Sequence, residues 1–183
     1  MLLLTACSAS GSGELTQQGD GEAAGATIPN VPHGKPYTFG ANFVCIIGAK
    51  PGAAPIVIES AEPSGGSGGL QITRVATRPA PTAKEPVRTG AALGTLETLK
   101  FDASKPPAVS TPCRGKDDPP APDSSQHLTE LGFQFVRTQQ ATASAESILV
   151  KYKSGDSEEE MTIPFGVTLC APGDKTTQYC QEG

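Results

Sequence analysis

The chain has 183 residues and a formal net charge of −5, a balance that argues against nucleic acid or an anionic membrane surface as its main partner. Gly and Pro are abundant, aromatic residues make up 5% and Trp is absent, a composition that suits short strands joined by long turns. No apolar run in the sequence is long enough to form a membrane-spanning helix.

The amino-terminal segment contains Leu4-Thr5-Ala6-Cys7, which resembles the lipobox of bacterial lipoproteins. The resemblance implies that Cys7 is the first residue of the mature protein and that its sulfur carries a lipid. Residues 1–6 are then the remnant of a lipoprotein signal peptide whose beginning lies upstream. The residues that follow are small, polar and Gly-rich, so residues 7–36 are predicted to form a disordered tether.

Four segments of the middle of the chain have the composition of strands. Residues 37–47 alternate at first and then become apolar on both faces, which is typical of a central strand. Shorter strands are predicted at 55–59, 70–75 and 129–136, with a mobile Gly/Ser loop at 63–69. The Pro-rich stretch 77–125 cannot be central sheet throughout, and only its segment 93–101 is predicted to be ordered, as an edge strand.

A β-hairpin is predicted near the end of the chain. Its first arm covers residues 148–153, and Ser, Gly and Asp at 154–157 supply turn chemistry. The second arm covers 161–170, where a period of two places one set of apolar side chains on a single face: Met161, Ile163, Phe165, Val167 and Leu169. One buried face requires a second sheet to cover it.

The predicted strands resemble the immunoglobulin-like sandwiches of bacterial surface lipoproteins over residues 37–170. The predicted fold class is therefore all-β, an immunoglobulin-like two-sheet antiparallel sandwich with long Pro-rich loops, in a domain covering residues 37–180. The buried Trp of antibody domains is missing, and the resemblance implies no functional residue.

The cysteines other than Cys7 are even in number, as expected for disulfide bonds in an oxidising compartment. The favoured pairing is Cys170–Cys180 with Cys45–Cys113, because a turn after Cys170 can return the chain. The alternative joins Cys45 to Cys170 and Cys113 to Cys180. No CxxC motif occurs, so no metal site and no cofactor are predicted.

Several polar residues are candidates for catalysis or metal binding. Ser67 lies in a G-x-S-x-G pattern that Gly/Ser composition alone explains, since no helix follows it. The acidic cluster at 156–160 lacks the spacing of a calcium loop and is interpreted as a solvated turn that protects a sheet edge. Asp117, Asp118 and Asp123 lie among prolines and are interpreted in the same way.

The histidines and tyrosines offer no better catalytic or sugar-binding set. His33 and His127 have no acid–base partner in their sequence context and are expected to be exposed. Tyr37, Tyr152 and Tyr179 lie on or beside strands and are interpreted as structural.

The function expected from these features is that of a lipid-anchored protein on the outer face of the bacterial cytoplasmic membrane, in the cell envelope. We expect a non-enzymatic binding, adhesion or scaffolding module that uses loops or a sheet edge to contact an envelope protein. The alternative is a small-ligand or Ca²⁺-binding accessory protein of an envelope enzyme or transporter.

Overall fold

A computed structural model of the protein describes residues 13–17, 24–49, 52–81, 90–114, 128–175 and 180. These residues form twelve strands and one turn of 3-10 helix at Leu96–Leu99. Within these ranges no helix has the length and hydropathy needed to cross a membrane. The strands are β1 (Glu14–Gln17), β2 (Ala24–Ile28), β3 (Pro36–Ile47), β4 (Ile56–Ser64), β5 (Leu70–Pro79), β6 (Ala91–Leu93), β7 (Ala108–Val109), β8 (Thr129–Arg137), β9 (Ala143–Ala145), β10 (Ser147–Ser154), β11 (Ser157–Ile163) and β12 (Phe165–Leu169).

The strands form three hydrogen-bonded sheets. The first has the order β1-β3-β8-β5, with β6 also pairing with β3; the second has the order β11-β10-β4-β7; the third has the order β2-β12-β9. Every pairing between named strands is antiparallel except that of β2 with β12. The prediction of an all-β protein is confirmed.

One apolar core contains residues of all three sheets. Phe133 and Phe135 of β8 are fully buried, as are Ile148 and Val150 of β10 and Leu169 of β12. These side chains lie on the faces that the alternating pattern marked as inward. Their burial removes apolar surface from water, at roughly 25 cal/mol per Å², and this is the main term holding the sheets together.

The predicted carboxy-terminal hairpin is present, but its second arm is two strands. β10 and β11 pair through a two-residue turn in which Gly155 has φ of 64°, a conformation that favours Gly. The arm then breaks at Pro164, which has no N–H for a ladder, and β12 continues in the third sheet. Ile163, Val167 and Leu169 all remain buried, so the chain changes sheet without turning its apolar face away from the core.

The long strand β3 contains a bulge that alternation did not predict. Its ladder with β8 shifts between Phe39 and Asn42, which moves the inward-facing positions by one residue. Phe39 packs in the core before the bulge, and Val44 and Ile46 pack there after it. Ile47 is consequently half exposed rather than inward.

The prediction of a disordered tether over residues 7–36 is wrong for the part that the structure describes. β1 pairs with the end of β3, and β2 pairs in parallel with β12. Leu15 and Val31 are 2% exposed and belong to the core. Small and polar residues still carry backbone donors and acceptors, so free edges of β3 and β12 can order a segment that has little apolar surface of its own.

The edge strand predicted at 93–101 is also wrong. Only Ala91–Leu93 is a strand, and the 3-10 helix follows it. Leu96, Leu99 and Phe101 pack with Ala76 in a second small apolar cluster on the outer face of the first sheet. The leucines are spaced by three, and this spacing suits a 3-10 turn, in which residues i and i+3 lie on the same side.

An ion pair is buried beneath this outer layer. Arg78 Nε lies 2.7 Å from Glu130 Oε2, and the Glu130 side chain is fully buried. The Arg78 guanidinium lies over the Phe101 ring, 4.3 Å from its centroid, and also donates to the carbonyl of Leu99. A buried carboxylate requires such a partner, so the outer layer and the sheet depend on each other.

A second buried cation holds the loops at one end of the molecule. Arg137, at the end of β8, is fully buried, and its guanidinium donates to the carbonyl of Val31 at 2.8 and 3.2 Å. It also donates to the carbonyls of the turn at 139–141. Five N–H donors in a fixed fork suit such a cluster of carbonyls.

The segment predicted as a mobile loop at 63–69 is closely packed. Residues 63 and 64 belong to β4, and Ser67 exchanges two backbone hydrogen bonds with Ser144 at 2.9 and 3.0 Å. A Cβ on Gly66 would lie 1.9 Å from the carbonyl oxygen of Ser144. Glycine is required here because the two backbones approach so closely.

Candidate functional site

Two disulfide bonds brace the fold. Cys45 is bonded to Cys113 and Cys170 to Cys180, which confirms the favoured pairing and excludes the crossed one. The first closes a sequence separation of 68 residues and the second a separation of 10. By loop entropy the two would contribute about 4 and about 3 kcal/mol.

The first disulfide ends a segment, residues 107–113, that we call the strap. Its strand β7 pairs with β4 through Ile56 and Val57, and the amide of Ile58 donates to the carbonyl of Pro107 at 2.9 Å. Its other end pairs with β3: the Ile46 amide donates to the carbonyl of Thr111, and the Ile46 carbonyl accepts from the amide of Cys113, both at 2.9 Å. The strap therefore joins the second sheet to the first.

The edges of β4 and β5, strands of different sheets, face each other across a gap that we call the seam. The strap fills only part of the seam, and the rest is an open cleft. The cleft has a volume of about 270 Å³. Its lining combines apolar side chains of both strands with four polar ones and one strap residue: Ile58, Glu59, Ser60, Ala61, Ile72, Thr73, Arg74, Val75 and Pro107.

Both walls of the cleft carry irregular strand pairing. The ladder of β4 with β10 shifts at Glu59, and the ladder of β5 with β8 shifts at Thr73. Thr73 Oγ1 accepts from Gln134 Nε2 at 2.9 Å and is therefore held by the neighbouring strand. Bulges of this kind bend a strand and redirect its side chains, so each wall turns at the level of the cleft.

The charges at the rim of the cleft are paired within the chain. Glu59 Oε1 lies 2.5 Å from Lys153 Nζ, and the hydrogen bond that Lys153 donates to this carboxylate is the main cause of the raised pKa of Lys153. Arg74 lies 3.0 Å from Glu97 Oε1 and donates to the carbonyl of Ala103 at 3.2 Å. The charged side chains that border the cleft are therefore both held in ion pairs within the chain.

The three glutamates of the acidic cluster lie on a strand, whereas Asp156 lies in the predicted turn. Glu158, Glu159 and Glu160 are exposed residues of β11, the outer strand of the second sheet. Successive side chains of a strand point to opposite faces, so the three carboxylates diverge. Within the described ranges no group of three or more His, Cys, Asp or Glu side chains could hold a metal ion.

Ser67 has another serine as its side-chain neighbour. Its Oγ lies 3.3 Å from the Oγ of Ser144, at an exposed position. His33, the one described histidine, is exposed and lies 3.1 Å through its Nε2 from the carbonyl of Thr138. Cys7, His127, Asp117, Asp118, Asp123 and Tyr179 lie outside the described residues.

The two described tyrosines have structural positions. Tyr152 is buried, and its hydroxyl accepts from the amide of Leu15 at 3.3 Å, which helps to hold β1. Burial is the main cause that raises the pKa of Tyr152. Tyr37 is half-buried against Phe39 with ring centroids 5.4 Å apart, and burial raises the pKa of its phenol.

No sequence pattern located the cleft, although both of its walls leave a signal in the chain. In β5 the larger apolar residues that pack in the main core are Leu70, Ile72 and Val75, so their spacing changes from two to three. The same change occurs in β4. A break in the period of two marks a bulge, but the seam between two strands of different sheets is visible only in three dimensions.

No protein-family model matches this chain, and no curated protein matches it in sequence.

Proposed function

We propose that this protein is an exported binding module that is anchored to the outer face of the bacterial cytoplasmic membrane by a lipid on Cys7. The observation that carries the proposal is the pair of disulfide bonds, because disulfides form and persist outside the cytoplasm and are rare within it. The lipobox-like residues 4–7 supply the means of anchoring. The module acts by holding an envelope protein, as an adhesion or scaffolding element without catalysis of its own.

The arrangement of the sheets supports an immunoglobulin-like sandwich as the finer description of the fold. The faces of the sheets enclose one core, as expected when antiparallel sheets are stacked. Rigid sandwiches of this kind present loops and edges for recognition. In this protein the disulfides hold two such elements in place, the strap and the loop after β12.

The proposed anchor also determines which end of the domain lies near the membrane. The extended chain from Cys7 to Gly13 can span at most about 20 Å. The carbonyl of Gly13 accepts a hydrogen bond from Ser154 Oγ at 2.7 Å, beside the turn at Gly155. The β10–β11 turn would therefore lie close to the membrane, and the loops held by Arg137 would point away from it.

The anchor and the compartment can be tested in one experiment. The protein is extracted from bacterial membranes, and its intact mass is compared with that of the C7S variant. We expect a mass excess equal to a diacylglycerol in the wild type alone, and no reaction of the other four cysteines with maleimide under denaturing conditions. The C113S variant is the control, because it should keep the lipid while exposing the thiol of Cys45.

The proposal would be contradicted if the wild type and C7S had equal masses after correction for the Cys-to-Ser difference, or if all four other cysteines had free thiols. The partner is then sought by cross-linking in the intact envelope, with the C7S variant as the control for anchoring.

A further inference from the structure

We infer that the end of the domain formed by Ile47 and the loop between β3 and β4 rests on the surface of the lipid bilayer to which the chain is anchored. We call this end the β3–β4 tip, and its described residues are 47–49 and 52–55. The inference rests on the proposed function, since it takes the anchor at Cys7 as given and adds a second contact with the same membrane.

The amino-terminal segment joins the domain against this tip. A Cβ on Gly13 would lie 2.5 Å from the carbonyl oxygen of Ile47 and 3.2 Å from the amide nitrogen of Ala49. The carbonyl of Gly13 accepts a hydrogen bond from Ser154 Oγ at 2.7 Å. The next residue, Glu14, pairs with Ile47 in the ladder of β1 with β3. Strands of the first and second sheets therefore fix the position of Gly13 beside the tip.

The length of the chain before Gly13 determines which end of the domain stays near the bilayer. The segment from Cys7 to Gly13 spans at most about 20 Å when it is fully extended. β3 has 12 residues, from Pro36 to Ile47, and at about 3.3 Å per residue it is roughly 35 Å long. The far end of β3 therefore lies farther from Gly13 than the tether is long, and the tip is the end held close to the lipid.

The tip presents apolar side chains to solvent. Ile47 is 51% exposed, and it is one of the exposed large hydrophobic residues in the described part of the chain. The rest of the described loop consists of small or apolar residues, all exposed or partly exposed: Gly48, Ala49, Gly52, Ala53, Ala54 and Pro55. Apolar groups of this kind leave water when they enter the boundary between lipid headgroups and acyl chains.

The charged side chains around the tip indicate which lipid it fits. Glu14 is exposed and lies opposite Ile47 in the ladder, and Asp156 is exposed in the β10–β11 turn. Arg114 is exposed just after the strap. The described residues near the tip therefore carry no excess of positive charge, which attraction to anionic lipid would require. The contact depends on burial of apolar surface and fits zwitterionic headgroups.

Leu93 provides a matched control at the opposite end of the same strand. Its side chain is 60% exposed, and it pairs with Tyr37 near the beginning of β3, whereas Ile47 is the last residue of β3. Each end of β3 thus has an exposed apolar side chain beside it, but only the end at Ile47 lies against Gly13.

The test uses Trp fluorescence of the full chain on phosphatidylcholine vesicles. The chain has no Trp, so the single indole of I47W or L93W reports on one position. The lipidated variants are reconstituted into vesicles with and without bromine on the acyl chains. A second sample is the unlipidated chain coupled through Cys7 to a maleimide-bearing lipid, since the other four cysteines are paired. Circular dichroism and thermal unfolding check that both variants remain folded.

We expect the emission of I47W to shift to shorter wavelength on vesicles and to be quenched by bromine several-fold more than that of L93W. In the wild-type chain, attachment to vesicles should slow amide hydrogen exchange at residues 52–54 and leave it unchanged at 92–94. This second measurement is made without Trp, which by itself favours the membrane interface. Quenching of I47W no greater than that of L93W, or unchanged exchange at 52–54, would overturn the inference.

The two samples separate this inference from the proposed anchor. If the extracted protein carries lipid and I47W stays in water on its vesicles, the tip is refuted and the anchor is unaffected. If the extracted protein carries no lipid but the coupled chain places I47W in the bilayer surface, the anchor is refuted and the tip contact is supported.

Discussion

Replacing Gly132 by Ala tests the packing of the outer layer on the first sheet. A Cβ at this position of β8 would lie 2.7 to 2.8 Å from three carbons of the Phe101 ring, about 1 Å closer than ordinary packing allows. The ring is 2% exposed and carries the Arg78 guanidinium on its face, so it cannot move without disturbing the buried ion pair. Overpacking of this kind costs about 2–3 kcal/mol.

Part of that cost is offset, because Ala loses less backbone entropy than Gly in a strand, by about 0.5–1 kcal/mol. The expected net loss in the free energy of unfolding is about 2 kcal/mol, equivalent to a Tm lower by about 4–8 °C in a domain of this size. Urea unfolding followed by far-UV circular dichroism measures it. G166A is the matched control, since the nearest heavy atom to its Cβ is 3.6 Å away.

The decisive measurement is the same substitution in the F101L background. The shorter, flexible side chain leaves space above residue 132, so G132A should become neutral or stabilising there. An equal loss of stability in both backgrounds would show that the ring does not rest on Gly132, and the described outer layer would be wrong.

Three further outcomes are expected. The R137L variant should lower the free energy of unfolding by about 2–4 kcal/mol, because the buried carbonyl that Arg137 satisfies loses charged hydrogen bonds; a loss below about 0.5 kcal/mol in urea unfolding would contradict this. Hydrogen bonds from Ser104, and then from Lys105, lower the pKa of Asp102 to about 2, so its stabilising contribution is present above about pH 4 and is lost as the pH falls towards 2. NMR titration should find this pKa, and S104A should raise it; an ordinary pKa in the wild type would refute the contact. In the lipidated protein, a spin label at Asp156 should broaden lipid headgroup resonances more than one at Gln140, because β10 spans about 23 Å between the two ends; equal broadening would argue against the proposed orientation.

Side-chain alternation was a reliable guide wherever a strand buries one face. The arms that contain Phe133, Val150 and Val167 are strands with these residues in the core. The turn after Cys170 likewise favoured its pairing with Cys180. Alternation and turns are short-range properties that neighbouring residues determine together. The Cys45–Cys113 pair spans 68 residues, and the crossed pairing stayed open until the structure excluded it.

Side-chain alternation did not predict the strands that are ordered by backbone pairing. β1 and β2 have few apolar residues, and their strands exist because β3 and β12 offer free edges. The leucines at 96 and 99 lie in a segment predicted as a strand, although their spacing of three suits a 3-10 turn. The bulge in β3 likewise changes which residues face the core, and only the ladder with β8 reveals it.

The sequence by itself determined the all-β class and most of the inward-facing residues, because both depend on the period of the chain, and it favoured the observed disulfide pairs without excluding the crossed ones. The tertiary structure alone decided where two strand edges of different sheets meet, which half of their seam the strap fills and which half remains a cleft. That outcome depends on contacts between residues such as Ile58 and Val75, which are distant in the chain, and no local pattern encodes their approach.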